Sequence, residues 1–215
     1  MDQLVKFRCP FTMLVAGSTG SGKTHLVRDL LSHHNFSMNI NKKVIKVVWC
    51  YGVWQSTYEK TLDNVQVIYH KGLVDEEYIS QANADIVVLD DLMNELGDSS
   101  ELSNLFTKLS HHLGMSVIFI VQNLFHQARQ MRTLSLNSKY IILQKNARDK
   151  SQIFNLARQV MPNDTKFFLA AYHDATRLPY SNFILDFAPE TPEELRLRSW
   201  IKLKGEREIV VYKQK

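Results

Sequence analysis

A chain of 215 residues, 45% hydrophobic and 22% charged, has the length and balance of one soluble globular domain with a large core. The net charge of +4 leans mildly toward an anionic partner, and the two cysteines, Cys9 and Cys50, have no metal-ligand spacing and read as buried, reduced thiols. No apolar run approaches the roughly 18 residues of a membrane span, and residues 1–9 are too short and polar for a signal peptide, so an intracellular protein without a membrane partner is expected.

Residues 11–16 (FTMLVA) form an apolar run that reads as a strand. Gly17-Ser18-Thr19-Gly20-Ser21-Gly22-Lys23-Thr24 follows, then a helical segment over 25–31. This is G-x-x-x-x-G-K-[ST] in its required setting of strand, glycine loop and helix. Such a loop turns its backbone N–H groups onto phosphate oxygens, and the helix adds its positive end. Lys23 supplies a point charge for the β- and γ-phosphates, and the Thr24 hydroxyl suits Mg²⁺. The residues therefore predict nucleoside triphosphate binding.

Residues 44–50 (VIKVVWC) and 65–69 read as strands, with Tyr51, Trp54 and Gln55 in the loop between them. A helix over 74–81 has an acidic first turn. Residues 84–89 (ADIVVL) are near-continuously apolar, as in a strand buried on both faces, and end on Asp90-Asp91. A helix is expected over 100–113, and a further apolar strand over 115–121 ends on Gln122-Asn123. Residues 126–132 read as a short basic helix or loop, and 139–143 as a strand. Helices over 151–160 and from Asn163 or Asp164 to about 176 come next, then strands over 181–187 and 209–212. Strands alternating with helices argue an α/β fold of the P-loop NTPase type, a mainly parallel β-sheet covered by helices on both faces. The whole chain reads as one such domain, with a basic C-terminal extension from about residue 196.

Ligands of such sheets sit at the carboxyl ends of the strands, which points to Gly17, Asp90 and Gln122. Asp90 stands where a carboxylate can hold Mg²⁺. Asp91 beside it can orient or deprotonate an attacking water, although aspartate reaches about one methylene less far than glutamate, and Glu95 is the alternative. The Gln122 amide can contact the γ-phosphate or its water. An arginine placed on the developing charge can come from a neighbouring subunit, with Arg129, Arg132 and Arg148 as candidates and Arg148 the first choice.

Taken together, GSTGSGKT, the acid pair in VVLDDL, the glutamine after VIFIV and the segment QKNARDKSQIFNLARQ resemble the FtsK–HerA superfamily of ring-forming DNA-pumping ATPases. Within it, the chain is most similar to the double-stranded DNA-packaging ATPases of the poxvirus, Maverick/Polinton and adintovirus types, with FILDFAPETPEELRLRSW similar to the Polinton tail. The resemblance implies ATP hydrolysis with Mg²⁺, a homo-oligomeric ring, an arginine supplied in trans, and double-stranded DNA as a sequence-nonspecific partner. It further implies a capsid or portal protein as partner, at a viral assembly site in the host cell or on the virion.

Two basic clusters suit phosphate contacts: Lys139, Lys145, Arg148, Lys150 and Arg158, and seven basic residues against two acids from Arg196 onward. The residues also leave open a small-molecule nucleotide kinase or a slow regulatory ATPase that binds a protein partner.

Overall fold

The computed structural model describes residues 2–92, 114–124, 133–146, 148–199 and 209–214. The helix expected over 100–113, the basic segment 126–132, and with them Glu95, Arg129 and Arg132, lie outside these residues.

One nine-stranded sheet organises the chain. Its strands are β1 Thr12–Ala16, β2 Ile45–Tyr51, β3 Val65–Lys71, β4 Ile86–Asp90, β5 Ser116–Val121, β6 Tyr140–Gln144, β7 Asn182–Asp186, β8 Leu197–Ser199 and β9 Val210–Val211. The spatial order is β3-β2-β4-β5-β1-β6-β7-β8-β9. The part from β3 to β6 is parallel, and β7, β8 and β9 join antiparallel. The phosphate-loop strand β1 lies between β5 and β6, far from either sheet edge.

The continuous apolar runs follow from burial on both faces. Every residue of β1, β4, β5 and β6 is buried, and successive side chains point to opposite faces. On one face Met13, Val15, Trp49 and Ile120 pack with Val27 and Leu30 of α1 (Lys23–Ser32). On the other, Leu14, Val48, Leu89 and Phe119 share a core with Ile79 of α3 (Glu76–Ala82), Leu156 of α4 (Lys150–Val160) and Phe168 of α5 (Thr165–Ala175). The short α2 (His34–Ser37) follows α1. The expected layers are therefore present, a mainly parallel sheet with helices against both faces.

Local capping agrees with composition. The Asp75 carboxylate accepts from the Tyr78 backbone N–H and opens α3. The Asp149 carboxylate accepts from the backbone N–H groups of Ser151 and Gln152 and opens α4. Asp164 precedes α5 without a side-chain cap bond. Cys50 is buried in β2 and Cys9 half-buried, and both are free. Burial pushes these thiols up to about 12 and about 11, so neither is a ready nucleophile.

Within the stretch expected as a basic C-terminal extension, the described residues add to the sheet: Leu197–Ser199 is a buried strand paired with β7, and β9 pairs with it in turn. Arg198 is 1% exposed; it donates to Asp186 Oδ2 at 2.8 Å and to the Leu195 carbonyl at 2.8 Å. Asp186 Oδ1 accepts from Ala188 N and Thr191 Oγ1. Arg196 binds Glu193 and the Asp186 and Ala188 carbonyls. These two arginines hold the chain's own sheet and are not free for an outside phosphate. Arg198→Met is expected to destabilise the fold by about 3–5 kcal/mol, because Asp186 keeps its buried charge without a counter-ion. Urea denaturation measures it, and a loss under about 1 kcal/mol would mean that the pair is not what holds β8 in place.

Candidate active site

β1 ends at Ala16 and the chain turns through the glycine loop into α1. Gly17 sits tightly between its neighbours: a Cβ there would lie 2.8 Å from Ser21 Oγ and 2.9 Å from Gln144 Cβ. Gly22 has φ 96° and ψ 16°, a left-handed conformation that glycine adopts at little cost, and this residue starts α1. The loop is tied to both flanking strands. Gly17 N donates to the Val121 carbonyl of β5, and Ser21 Oγ donates to Gln144 Oε1 of β6 at 2.8 Å.

Lys23 is buried, with Nζ donating to the carbonyls of Gly17 (2.8 Å) and Ser18 (3.0 Å). Burial pushes its ammonium below the ordinary lysine value, while the nearby Asp90 and Asp91 carboxylates hold it up. Thr24 Oγ1 donates to Asp90 Oδ2 at 3.1 Å. These are hard oxygen donors of the kind Mg²⁺ takes alongside waters and substrate phosphates, so the residues fit that ion.

Asp90 ends β4 and is 2% exposed. Burial pushes its carboxyl up, and hydrogen bonds from Tyr58 and Thr24 pull it back. The Tyr58 contact is missing from the sequence reading. Its hydroxyl donates to Asp90 Oδ2 at 2.7 Å from a buried ring that packs with Trp49, Tyr51, Trp54 and Tyr69. Gly52 N also donates to the Asp90 carbonyl. The aromatic loop after β2 is thereby fastened to this acid at both of its ends. Tyr51, Trp54 and Tyr58 pack on one another and against Trp49 and Tyr69, while Val53 and Gln55 of the same loop line the cleft.

Asp91 has φ 56°, the left-handed region. Gln122 Nε2 donates to Asp91 Oδ1 at 3.1 Å, and Thr19 Oγ1 donates to Gln122 Oε1 at 2.9 Å. Phosphate loop, β5 end and second acid thus form one chain of hydrogen bonds. Lys23, Thr24, Asp90, Asp91 and Gln122 all line a cleft of about 710 Å³, together with Thr19, Gly20 and Gly22. Gln144 and Tyr180 line it as well, and neither is among the site residues expected from sequence. Gln144 could have been found as the third strand-terminal polar residue after Asp90 and Gln122. Nothing local marks Tyr180, which comes close only because β7 lies beside β6.

Arg148 is exposed on the loop before α4 and does not line this cleft. Its backbone N–H donates to Asn146 Oδ1, which shapes the loop. The basic cluster around it divides in space. Lys145 and Lys150 line a second cleft of about 600 Å³, with His173 and Arg177. Arg158 lies over the Phe154 ring, and Lys139 Nζ donates to the Arg8 carbonyl.

Among the described residues, no helix is long and apolar enough to cross a membrane. A family model described as Poxvirus A32 protein matches residues 2–161. No curated protein matches the chain. The genome packaging NTPase B204 from Sulfolobus turreted icosahedral virus 2, in complex with sulfate, is 12% identical over 94% of this chain and 96% of that one, with a TM-score of 0.55. Its complex with ATP-gammaS gives 12% identity, 94% and 97% coverage and a TM-score of 0.55. The flagellar accessory protein FlaH from Methanocaldococcus jannaschii is 9% identical over 94% of this chain and 89% of that one, with a TM-score of 0.52. At these identities the likeness is one of fold.

Proposed function

The chain belongs to the poxvirus A32 protein family, and from that we propose that it is a viral genome-packaging ATPase, hydrolysing ATP to drive double-stranded DNA into a capsid. The observation that carries this reading is the convergence of Lys23, the Thr24–Asp90 pair and the Thr19–Gln122–Asp91 chain on one cleft. The fold-level likeness to a packaging NTPase solved with ATP-gammaS supports ATP as the nucleotide.

In this reading the N–H groups of residues 17–24 and the α1 N-terminus bind the phosphates, and Lys23 turns from its loop carbonyls to the β- and γ-oxygens. Thr24 and Asp90 would hold Mg²⁺, which would supply charge neutralisation to the phosphates. Asp91 accepts the proton of the attacking water. Thr19 donates to the Gln122 amide oxygen and the Gln122 amide nitrogen donates to Asp91, so the carboxylate waits in place. Tyr58 holds the Asp90 carboxylate in one orientation. Arg148, which is exposed and does not line its own cleft, serves the site of an adjacent subunit in a homo-oligomeric ring. The basic rim of Lys145, Lys150 and Arg177 follows DNA phosphates without reading sequence. Docking on a capsid or portal protein, at the viral assembly site or on the virion, completes the proposal.

The test is ATP hydrolysis with and without double-stranded DNA, together with the mass of the assembly by light scattering. A multimer with DNA-stimulated turnover is expected. Adding Arg148→Ala chains should poison the mixed assembly beyond their share of subunits. A monomer that phosphorylates a small acceptor would sink the motor reading, and slow turnover indifferent to DNA would make the protein a regulatory ATPase.

A further inference from the structure

The phosphate-loop cleft has two ends, and strand order tells them apart. At one end stand Asp90, Asp91 and Gln122, where β4 and β5 finish. At the other stand Gln144, the last residue of β6, and Tyr180, two residues before β7. Gln144 pairs with Asn182 of β7, which brings the 178–181 turn to the carboxyl edge of the parallel strands. β1 and its loop lie between the two ends.

Thr24 and Asp90 are the residues that would hold Mg²⁺, which would neutralise charge on the terminal phosphates, so this pair marks the terminal-phosphate end. A triphosphate seated with that end on Asp90 sends its nucleoside the other way, toward Gln144 and Tyr180. Two ring side chains line the cleft, His25 in the first turn of α1 and Tyr180, and it is Tyr180 that stands beside Gln144 at this end. Its ring lies against Gly22, close enough that a Cβ at Gly22 would be 2.9 Å from Tyr180 Cδ1.

Two features of Tyr180 lack a structural purpose. It is 70% exposed, so its ring gains little from burial. It also holds φ 60°, a left-handed conformation that is costly for a bulky residue and that concentrates at ligand sites. The turn is held by its neighbours, since both the backbone N–H and the hydroxyl of Ser181 donate to the Leu178 carbonyl. An exposed ring kept in an uncommon conformation beside the phosphate loop is a ready platform for a flat ligand.

We propose that Tyr180 is the platform on which the base of the bound nucleoside triphosphate stacks. The proposal rests on the nucleotide reading of the cleft and adds to it the nucleobase subsite. Stacking uses the face of the base, so the ring and not the phenol hydroxyl carries the contact.

The experiment compares ATP with inorganic tripolyphosphate, which shares the phosphates and lacks the base. Calorimetry is run on the full chain, on Tyr180→Leu, on Tyr180→Phe and on Lys23→Ala. Tyr180→Leu should weaken ATP by about tenfold and leave tripolyphosphate unchanged. Tyr180→Phe should bind ATP as the natural chain does. Wild-type ATP affinity in Tyr180→Leu overturns the proposal. An equal loss in Tyr180→Phe overturns it in favour of a hydroxyl contact, and an equal loss of tripolyphosphate in favour of a loop-shaping role. Lys23→Ala should lose both ligands. A natural chain that binds neither ligand overturns the nucleotide reading itself, which separates that failure from a failure at Tyr180.

Discussion

Lys23→Ala is expected to lose nucleotide binding by about 100-fold or more, with hydrolysis falling below detection. Charge-assisted hydrogen bonds to phosphate are each worth about 1.5–3 kcal/mol, and every 1.4 kcal/mol is tenfold in affinity. Lys23 is 8% exposed and starts α1, so its ammonium stands against the loop with little water to screen it. The same burial predicts an intact fold. The ammonium is already disfavoured by desolvation, and alanine is the better helix former. The variant should therefore keep its thermal midpoint within a few degrees while failing to bind a fluorescent ATP analogue. Wild-type affinity in a folded Lys23→Ala chain would remove the cleft from consideration as a phosphate site.

Asp91→Asn is expected to bind ATP normally and to lose about 100- to 10,000-fold in turnover, the range carried by a positioned general base. The substitution is conservative for structure. Asparagine tolerates the left-handed backbone that Asp91 adopts at φ 56° as well as aspartate does. Its amide oxygen can still accept from Gln122 Nε2. What it cannot do is take a proton from water. Steady-state turnover at saturating ATP, set beside an equilibrium binding curve, separates the two effects. Full turnover in Asp91→Asn would move the water-orienting role to another acid, with Glu95 the alternative. The left-handed turn at Asp91 and the bridge through Gln122 to Thr19 tie the carboxylate to the phosphate loop.

The local parts of this protein were legible because short-range chemistry determines them. The phosphate loop is eight consecutive residues whose spacing carries its own mechanism. The buried strands announce themselves as unbroken apolar runs, and Asp90 and Gln122 were found because ligands gather where such runs end. Asp75 and Asp149 cap their helices from the adjacent residues, which needs no tertiary knowledge.

Tertiary structure decided what joins residues distant in the chain. Tyr58 reaches Asp90 across 32 positions, Ser21 reaches Gln144 across 123, and Tyr180 meets Gly22 only because β7 runs antiparallel beside β6. No periodicity in the sequence encodes those meetings. Charge alone also misled at Arg198: a basic residue in a basic stretch reads as surface, until the sheet supplies Asp186 as its buried partner. Sequence determined by itself that this protein has a triphosphate loop followed by strand-end acids, because those signals lie within a few residues of one another. The order of the strands, and with it which end of the cleft carries Asp90 and which carries Tyr180, was set by packing. Burying both faces of β1 requires neighbours from far along the chain.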